Sequence, residues 1–301
     1  MKLFPSFSQQ VLNNLSNINA DITDRLRAND NTDDIRATVG MTSHYRNRDG
    51  NSSIYGYEDK LQSVFGIIDQ KYNNDLRLGF GLNYARSDTK YDDGSKRKNN
   101  ILQIFAPFLY NNSTYKLIST PHIGYIWGNY NRHTDNASYK GKTKALYYGL
   151  TNELSRDVAL EYFILEPTAE LNIAGLYSNA IKDEQGINIE EHNDLSAEIG
   201  IGLYLKKRLE FAENRSLSVR VGGSSYLEML HPYKNLHGKM AGMNGTYTFN
   251  KPTKSKTHSL LKTSVKYQQD NINLIGELNK YLEDSDGYEV NLNMQYDLPA
   301  Q

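Results

Sequence analysis

The chain has 301 residues, a net charge of −1 at pH 7 and no cysteine. The balanced charge gives no support for nucleic acid or an anionic surface as its main partner. The missing cysteines exclude disulfides, thiolate zinc sites and cysteine nucleophiles. Mean hydropathy is low, at −0.66, yet the chain holds 23 tyrosines. Disordered chains are poor in aromatic residues, so a folded architecture that uses many aromatics is expected.

Neither a transmembrane helix nor a secretory signal is recognisable. No run approaches the 18 uncharged apolar residues that a membrane-spanning helix needs. The N-terminal MKLFPSFSQQ lacks the apolar region and small-residue cleavage site of a signal peptide. Two interpretations remain open at this point: a cytoplasmic protein, or a piece of a longer secreted precursor.

The first predicted element is one amphipathic helix of about five turns, near the N-terminus. Its thin apolar stripe consists of Val11, Leu15, Ile18, Ile22 and Leu26. Asparagine and serine fill most of the positions between them, so the rest of the helix surface is very polar.

From Ile35 onward the pattern changes to alternation of apolar and polar residues, which predicts β-strands with one apolar face. About twelve segments show it, near residues 35–42, 55–70, 76–85, 100–110, 115–128, 143–155, 162–177, 195–205, 215–228, 258–268, 271–281 and 287–298. In the eighth, Leu195, Ala197 and Ile199 are expected to share the apolar face. An even number of strands lets a sheet close with both chain ends on one side.

The connections between these segments alternate in length. Long ones such as SDTKYDDGSKRKNN, NYNRHTDNASYKGK and residues 229–256 are separated by short ones such as QKYNND, YNNST and QQD. A soluble sandwich has no reason to keep this alternation, whereas a membrane barrel has short turns on one side and longer loops on the other. The basic stretches GSKRKNN and KPTKSKT are predicted to be solvated loop tips, with contact to lipopolysaccharide as an alternative.

The two faces of the strands indicate which side meets lipid. The polar faces carry Gly, Asn, Thr and single carboxylates, which suit a crowded polar lumen. The apolar faces end in aromatic residues, as at a lipid–water interface: Tyr84, Tyr110, Tyr125, Trp127, Tyr177, Tyr267, Tyr288 and Tyr296. The predicted fold is therefore all-β, a 12-stranded antiparallel transmembrane β-barrel whose N-terminal α-helix threads the lumen.

Several segments resemble the C-terminal translocator, or β-domain, of type Va autotransporters. They are the stretch IRATVGMTSHYRNRDGNSSIYGYEDKLQSVFGIIDQKYNNDLRLGFGLNYARSDT, then YKLISTPHIGYIWGNY, and FILEPTAELNIAGLYSNA followed by LSAEIGIGLYL. The resemblance covers nearly the whole chain and rests on the order of these segments. It implies a linker and lumenal helix over residues 1–34 and a barrel over 35–301.

The resemblance also implies a function and partners. Periplasmic chaperones and the barrel-assembly machinery would deliver the monomeric domain to the bacterial outer membrane, among lipid and lipopolysaccharide, with its long loops extracellular. The barrel would then let its own N-terminal passenger reach the cell surface, leaving the helix in the pore, without any cofactor or nucleic acid. A porin or small-solute channel is the alternative, and a soluble all-β binding protein a third interpretation.

Charged residues on the polar faces are candidate lumenal groups. Four glutamates are expected to pair with lumenal arginines, which would anchor the helix and line the pore: Glu153, Glu166, Glu170 and Glu198 with Arg25, Arg27, Arg36, Arg77 and Arg220. The seven histidines show no metal-ligand spacing, so no metal site is predicted.

Some members of the resembled family cleave themselves in the lumen between two asparagines. The stretch Val11-Leu12-Asn13-Asn14-Leu15 resembles that Val-Asn-Asn-Leu site but carries an inserted Leu12. Asn-Asn pairs also occur at 73–74, 99–100 and 111–112, so the alternative is a polar plug helix that hydrogen-bonds the lumen wall. Self-cleavage at Asn13 and Asn14 would be the chain's only enzymatic activity.

The C-terminal segment GYEVNLNMQYDLPAQ resembles the assembly signal of outer-membrane proteins. Its alternating apolar positions are Val290, Leu292, Met294, Tyr296 and Leu298. The segment departs from that signal by lacking a terminal aromatic residue. It is expected to pair with the strand near Ile35, and to stop at Leu298 because Pro299 cannot donate to a ladder.

Overall fold

The structure is a computed structural model that describes residues 7–27, 35–49, 55–112, 114–134, 137–182, 188–212, 215–230, 236–239, 247–249, 257–282 and 286–298. Its single described helix, α1, spans Phe7–Arg27. No helix in the described part of the chain is long and apolar enough to cross a membrane.

Twelve long strands surround this helix. They are β1 Ile35–Arg48, β2 Tyr57–Lys71, β3 Leu76–Tyr91, β4 Lys96–Phe105 with its continuation Phe108–Asn111, β5 Lys116–Thr134, β6 Ala137–Ser155, β7 Ile164–Ser178, β8 His192–Ala212, β9 Arg215–Leu230, β10 Thr257–Gln269, β11 Ile272–Leu282 and β12 Asp286–Leu298. Short strands lie at Val158–Ala159, Ile181–Lys182, Asn188–Ile189, Leu236–Lys239 and Tyr247–Phe249.

Each long strand pairs antiparallel with its neighbours in the chain, and the first pairs with the last. Ile35 lies opposite Leu298, and Val39 opposite Met294. The sheet is therefore closed, which leaves no edge to face lipid. The predicted 12-stranded antiparallel barrel, its lumenal helix and the pairing of its ends are confirmed.

Along the strands, apolar side chains alternate onto the outer wall and polar side chains onto the inner wall. On β12, Leu292 and Met294 are 60% and 48% exposed on the outer wall, while Asn291 and Gln295 are at most 2% exposed inside. Tyr84, Tyr125, Tyr177, Tyr288 and Tyr296 also stand on the outer wall, each more than 40% exposed. Leu195, Ala197 and Ile199 share the outer face, as predicted. Ala197 lies opposite the outward-facing Ile173 and Leu230, and its small side chain is 8% exposed.

The connections are shorter than the sequence suggested, because the strands continue into segments taken as loops. Strand β3 runs to Tyr91 and β4 starts at Lys96, so most of SDTKYDDGSKRKNN is strand. Strands β5 and β6 likewise leave only residues 135–136 between them. In these extensions the outward face is polar as well as the inward face, so polarity no longer alternates along the strand, although the inward side chains of Ser87, Asn99 and Thr143 stay buried. The stretch KPTKSKT lies outside the described residues, except for its last threonine.

The sequence analysis expected a crowded polar lumen, and one side of the lumen is instead apolar. The inner faces of β2 to β7 carry a buried apolar surface, whereas those of β8 to β12 are mostly polar, with Glu198, Lys262, Asn291 and Gln295 buried there. Helix α1 lies between the two sides.

Candidate functional site: the lumen and its helix

The apolar stripe of helix α1 is completely buried. Val11, Leu15, Ile18, Ile22 and Leu26 are each at most 1% exposed. They belong to one cluster with inner-wall residues of β2 to β7: Leu61, Phe65, Ile67, Ala85, Ile101, Phe105, Leu109, Ile118, Ile126, Ala145, Tyr147 and Leu176. Burying a large aliphatic side chain stabilises by roughly 1.5–3 kcal/mol, so this stripe is the main attachment of the helix.

Asn19 adds a polar contact on the same side of the helix. Gln103 Nε2 donates to Asn19 Oδ1 at 2.6 Å, and Asn19 Nδ2 lies 3.1 Å from His122 Nε2. His122 Nδ1 lies 3.1 Å from the carbonyl oxygen of Thr120. If Nδ1 carries the proton and donates to that carbonyl, Nε2 accepts from Asn19, so all three contacts are satisfied together.

Asp24 ties the helix to the polar side of the lumen. Its Oδ2 lies 2.6 Å from Lys262 Nζ on β10, and the two side chains are 3% and 6% exposed. A buried charge that loses its partner is strongly destabilised. Asp24 and Lys262 therefore hold the helix at a fixed height.

The direction of the helix follows from two observations. Leu12 and Glu228, near the end of β9, line the same small cavity, and Asp24 reaches Lys262, which is opposite Gly222. Twelve helical residues rise about 18 Å, and the six strand residues from 222 to 228 span about 20 Å. The N-terminal half of α1 therefore points toward the barrel end where β9 finishes, and its C-terminal end toward the end where β1 starts.

Other lumenal ion pairs join wall strand to wall strand. Arg220 Nε donates to Glu166 Oε2 at 2.6 Å, and Lys206 Nζ lies 3.2 Å from Glu166 Oε1. The Arg220 guanidinium also lies 3.4 Å from the centre of the Tyr204 ring, a cation–π contact. The sequence placed Glu166 and Arg220 in the lumen, and the structure brings them together.

Arg36 and Arg77 have a partner that the sequence analysis missed. They were expected to pair with the four glutamates, but both lie against Asp69, at 2.7 and 2.6 Å. All three residues are buried near the start of β1. Asp69 is at one of the alternating positions of β2 that face the lumen, so its inward direction could have been predicted. Its partners on the neighbouring strands depend on the register, which the sequence does not give.

The remaining predicted glutamates are buried on the inner wall. Glu153 lies opposite Glu170 across β6 and β7, and Glu198 opposite Glu228 across β8 and β9. Tyr226 donates its hydroxyl to Glu170 at 3.0 Å. Glu198 and Glu228 line a cavity of about 30 Å³ together with Ser16, enough for a water molecule. The side chains of Arg25 and Arg27 lie outside the described residues.

The Asn13–Asn14 pair lies within helix α1. The side chain of Asn14 is 4% exposed, and that of Asn13 lies outside the described residues. Self-cleavage at this pair stays a prediction.

A second polar cluster fixes the closing seam. Glu289 on β12 lies 3.2 Å from His44 Nδ1 on β1 and accepts from Asn279 and Tyr281 of β11 at 3.0 Å each. On the outside of the same strand Val290, Leu292, Met294 and Tyr296 face outward. The backbone of Leu298 completes the pairing with β1, while its side chain and Pro299 lie outside the described residues.

The arrangement holds a helix inside a closed wall by one apolar surface and a few buried polar contacts. Within the described ranges, no group of three or more histidines and carboxylates is placed to hold a metal ion. The contacts in the lumen are those that bind a polypeptide segment, helix α1.

Comparison with known proteins agrees with this geometry. A family model described as autotransporter beta-domain matches residues 37–279. The translocator domain of autotransporter NalP from Neisseria meningitidis superposes with a TM-score of 0.73 at 13% identity, covering 94% of this chain and 97% of that one. The beta domain of the Bordetella autotransporter BrkA gives 0.69 at 16% identity, covering 88% and 100%.

The transport unit of AIDA-I from Escherichia coli gives a TM-score of 0.54 at 10% identity, covering 90% of this chain and 92% of that one. At these identities the structures show a common fold. No curated protein sequence matches the chain.

Proposed function

Since the chain belongs to the autotransporter beta-domain family, we propose that its barrel exports an N-terminal passenger across the outer membrane and then retains helix α1 as a plug. The end of the barrel where β9 finishes faces the cell exterior, and the end where β1 begins faces the periplasm.

The observation that carries this proposal is the buried apolar stripe of α1 inside the lumen. A diffusion porin keeps an aqueous channel, whereas Leu15 and Ile22 here are 0% exposed against the inner wall. The helix also points its N-terminal half toward the barrel end that we assign to the exterior. A passenger joined before α1 would emerge on that side.

Surface display tests the export step. The chain would be fused behind a secretory signal and an epitope, expressed in a Gram-negative host, and exposed to protease as intact cells. We expect protease to remove the epitope while a periplasmic marker protein stays intact. An epitope that stays protected although the barrel shows heat-dependent migration on detergent gels would contradict export.

Planar-bilayer recording tests the plug and separates this function from that of a porin. Deleting residues 1–30 is expected to raise conductance well above that of the full chain. The deleted form is first checked for heat-dependent migration, so that an unfolded barrel is not mistaken for a closed one. An unchanged conductance from a folded deletion variant would show that α1 does not block the pore.

A further inference from the structure

A cationic patch lies on the outer wall of β3 to β6, just beyond the apolar band. Its seven exposed cations are Arg86, Lys90, Lys96, Lys98, Lys140, Lys142 and Lys144. They stand on three rungs, a rung being a row of residues that lie opposite one another on neighbouring strands. Asn100, Trp127, Asn129 and Asn131 occupy the positions between them. The patch measures about 14 Å along each direction, from strand spacing and rise.

The patch is mostly cationic, and other charged residues border it on β2. Glu58 stands opposite Lys90, and a further lysine, Lys60, stands opposite Asp88. Asp88 is the patch's carboxylate, and it contacts Arg86 at 3.2 Å and Lys98 at 3.7 Å. Followed the other way around the barrel, the Arg86 rung continues through Gln62, Ser43 and Val290, all uncharged.

The patch lies at the level of lipid headgroups. The next rung toward the middle of the barrel is Tyr84, Leu102, Tyr125 and Leu146, and such tyrosines mark the membrane interface. Lysines at this level can contact phosphate groups directly, which attracts them to an anionic lipid surface.

An apolar notch lies below the patch on the same strands. It has a volume of about 540 Å³ and forms where β4 is interrupted at Ala106 and Pro107. Its outward lining includes Ile104, Ile123 and Tyr148, which share one rung. That rung is four residues below Trp127 and Lys144, about 13 Å along the strands, within the half-thickness of the hydrocarbon core.

We propose that the cationic patch and the notch together bind one phosphorylated glycolipid: a glucosamine disaccharide bearing two phosphates and several acyl chains, the membrane anchor of lipopolysaccharide. Its phosphates contact the lysines and one acyl chain fills the notch. A glycerophospholipid carries a single phosphate and spans only part of the patch, and a soluble polyanion leaves the notch empty. The assignment to the outer leaflet rests on the orientation under the proposed function.

Trp127, the chain's single tryptophan, stands within the patch and reports on neighbouring lipid. The full chain would be placed in nanodiscs of phosphatidylcholine with brominated acyl chains, which quench tryptophan. Unbrominated bis-phosphorylated glycolipid would then be titrated in, and relief of quenching gives its binding constant relative to phosphatidylcholine. We expect a preference of about tenfold or more.

Two pairs of substitutions test the charge. Lys98→Glu with Lys142→Glu is expected to bring the preference close to one. The matched pair Lys207→Glu with Lys280→Glu changes net charge equally at exposed positions outside the patch and is expected to leave the preference unchanged. If both double variants lost the lipid preference equally, the patch would not be the binding site. A wild-type preference close to one would also overturn the proposal.

The notch and the number of phosphates have separate tests. Ala106→Phe, which fills the notch, is expected to lower the preference for the glycolipid about threefold. An unchanged preference would show that the notch does not take part in binding. A mono-phosphorylated glycolipid or phosphatidylglycerol that binds as well as the bis-phosphorylated probe would overturn the assigned ligand. Nanodiscs present both leaflets, so lipid selectivity can succeed where surface display fails, and the two proposals are distinguishable.

Discussion

Replacing Lys262 by methionine is expected to loosen helix α1 without opening the barrel wall. The change keeps the length of the side chain but leaves the Asp24 carboxylate, 3% exposed, without the ammonium that lies 2.6 Å away. Removing one partner of a buried pair typically costs about 3–5 kcal/mol. The lower value, about 3 kcal/mol, corresponds to roughly a hundredfold change in the ratio of undocked to docked helix.

Planar-bilayer recording of the full chain measures that ratio as time spent open against time spent closed. The double variant Asp24→Leu with Lys262→Met removes both charges and is expected to return most of the way to the wild-type ratio, since buried pairs are often replaceable by apolar residues. Lys206→Met is the matched control, because Lys206 contacts Asp157 and Glu166 of the wall.

Two results would refute the reasoning. One is an increase in open time for Lys206→Met as large as that for Lys262→Met. The other is a double variant that opens as much as Lys262→Met alone, which would mean that an uncompensated Asp24 is not the cause.

Four further tests probe other parts of the molecule. Ile22→Ala, at a position 0% exposed, is expected to weaken helix docking by about 2–4 kcal/mol, seen as increased conductance with unchanged heat-dependent migration; unchanged conductance would contradict the apolar attachment. Asp69→Asn removes the carboxylate shared by Arg36 and Arg77 and is expected to lower the free energy of unfolding in urea by about 3 kcal/mol, whereas a loss within 0.5 kcal/mol would show that the cluster contributes little. Leu292→Arg, on the outer wall, is expected to cost about 2–4 kcal/mol in lipid vesicles, and Lys280→Arg serves as its control. In a precursor with a passenger, Asn13→Asp and Asn14→Asp decide self-cleavage: continued processing in both variants would leave no role for this pair.

Much of the fold was predictable because membrane barrels impose a period of two. The alternation of Leu292 and Met294 with Asn291 and Asn293 identified both faces of the closing strand, and its pairing with Ile35 followed from closure. Strand ends were less predictable. Near Lys98 and Lys142 the outward side chains are polar like the inward ones, so polarity no longer alternates even though the hydrogen-bond ladder continues.

The lumenal contacts were predictable as a set of inward residues but not as pairs. A single sequence places Asp69 and Arg77 on inward phases, while their meeting depends on the register of β2 against β3. The contact of Asp24 with Lys262 depends in addition on the height and rotation of the helix, which no strand pattern contains.

The two-sided lumen connects the helix's amphipathic character to transport. An extended polar passenger leaves the apolar inner wall of β2 to β7 uncovered, because alternating or irregular side chains cannot present a continuous apolar stripe. Helix α1 does present one, and its burial there coincides with the pairing of Asp24 to Lys262 across the lumen. Under the proposed function, the apolar wall therefore favours helix α1 over an extended passenger. Under the same function, the polypeptide stops moving through the barrel when the apolar stripe of α1 packs against the apolar inner wall.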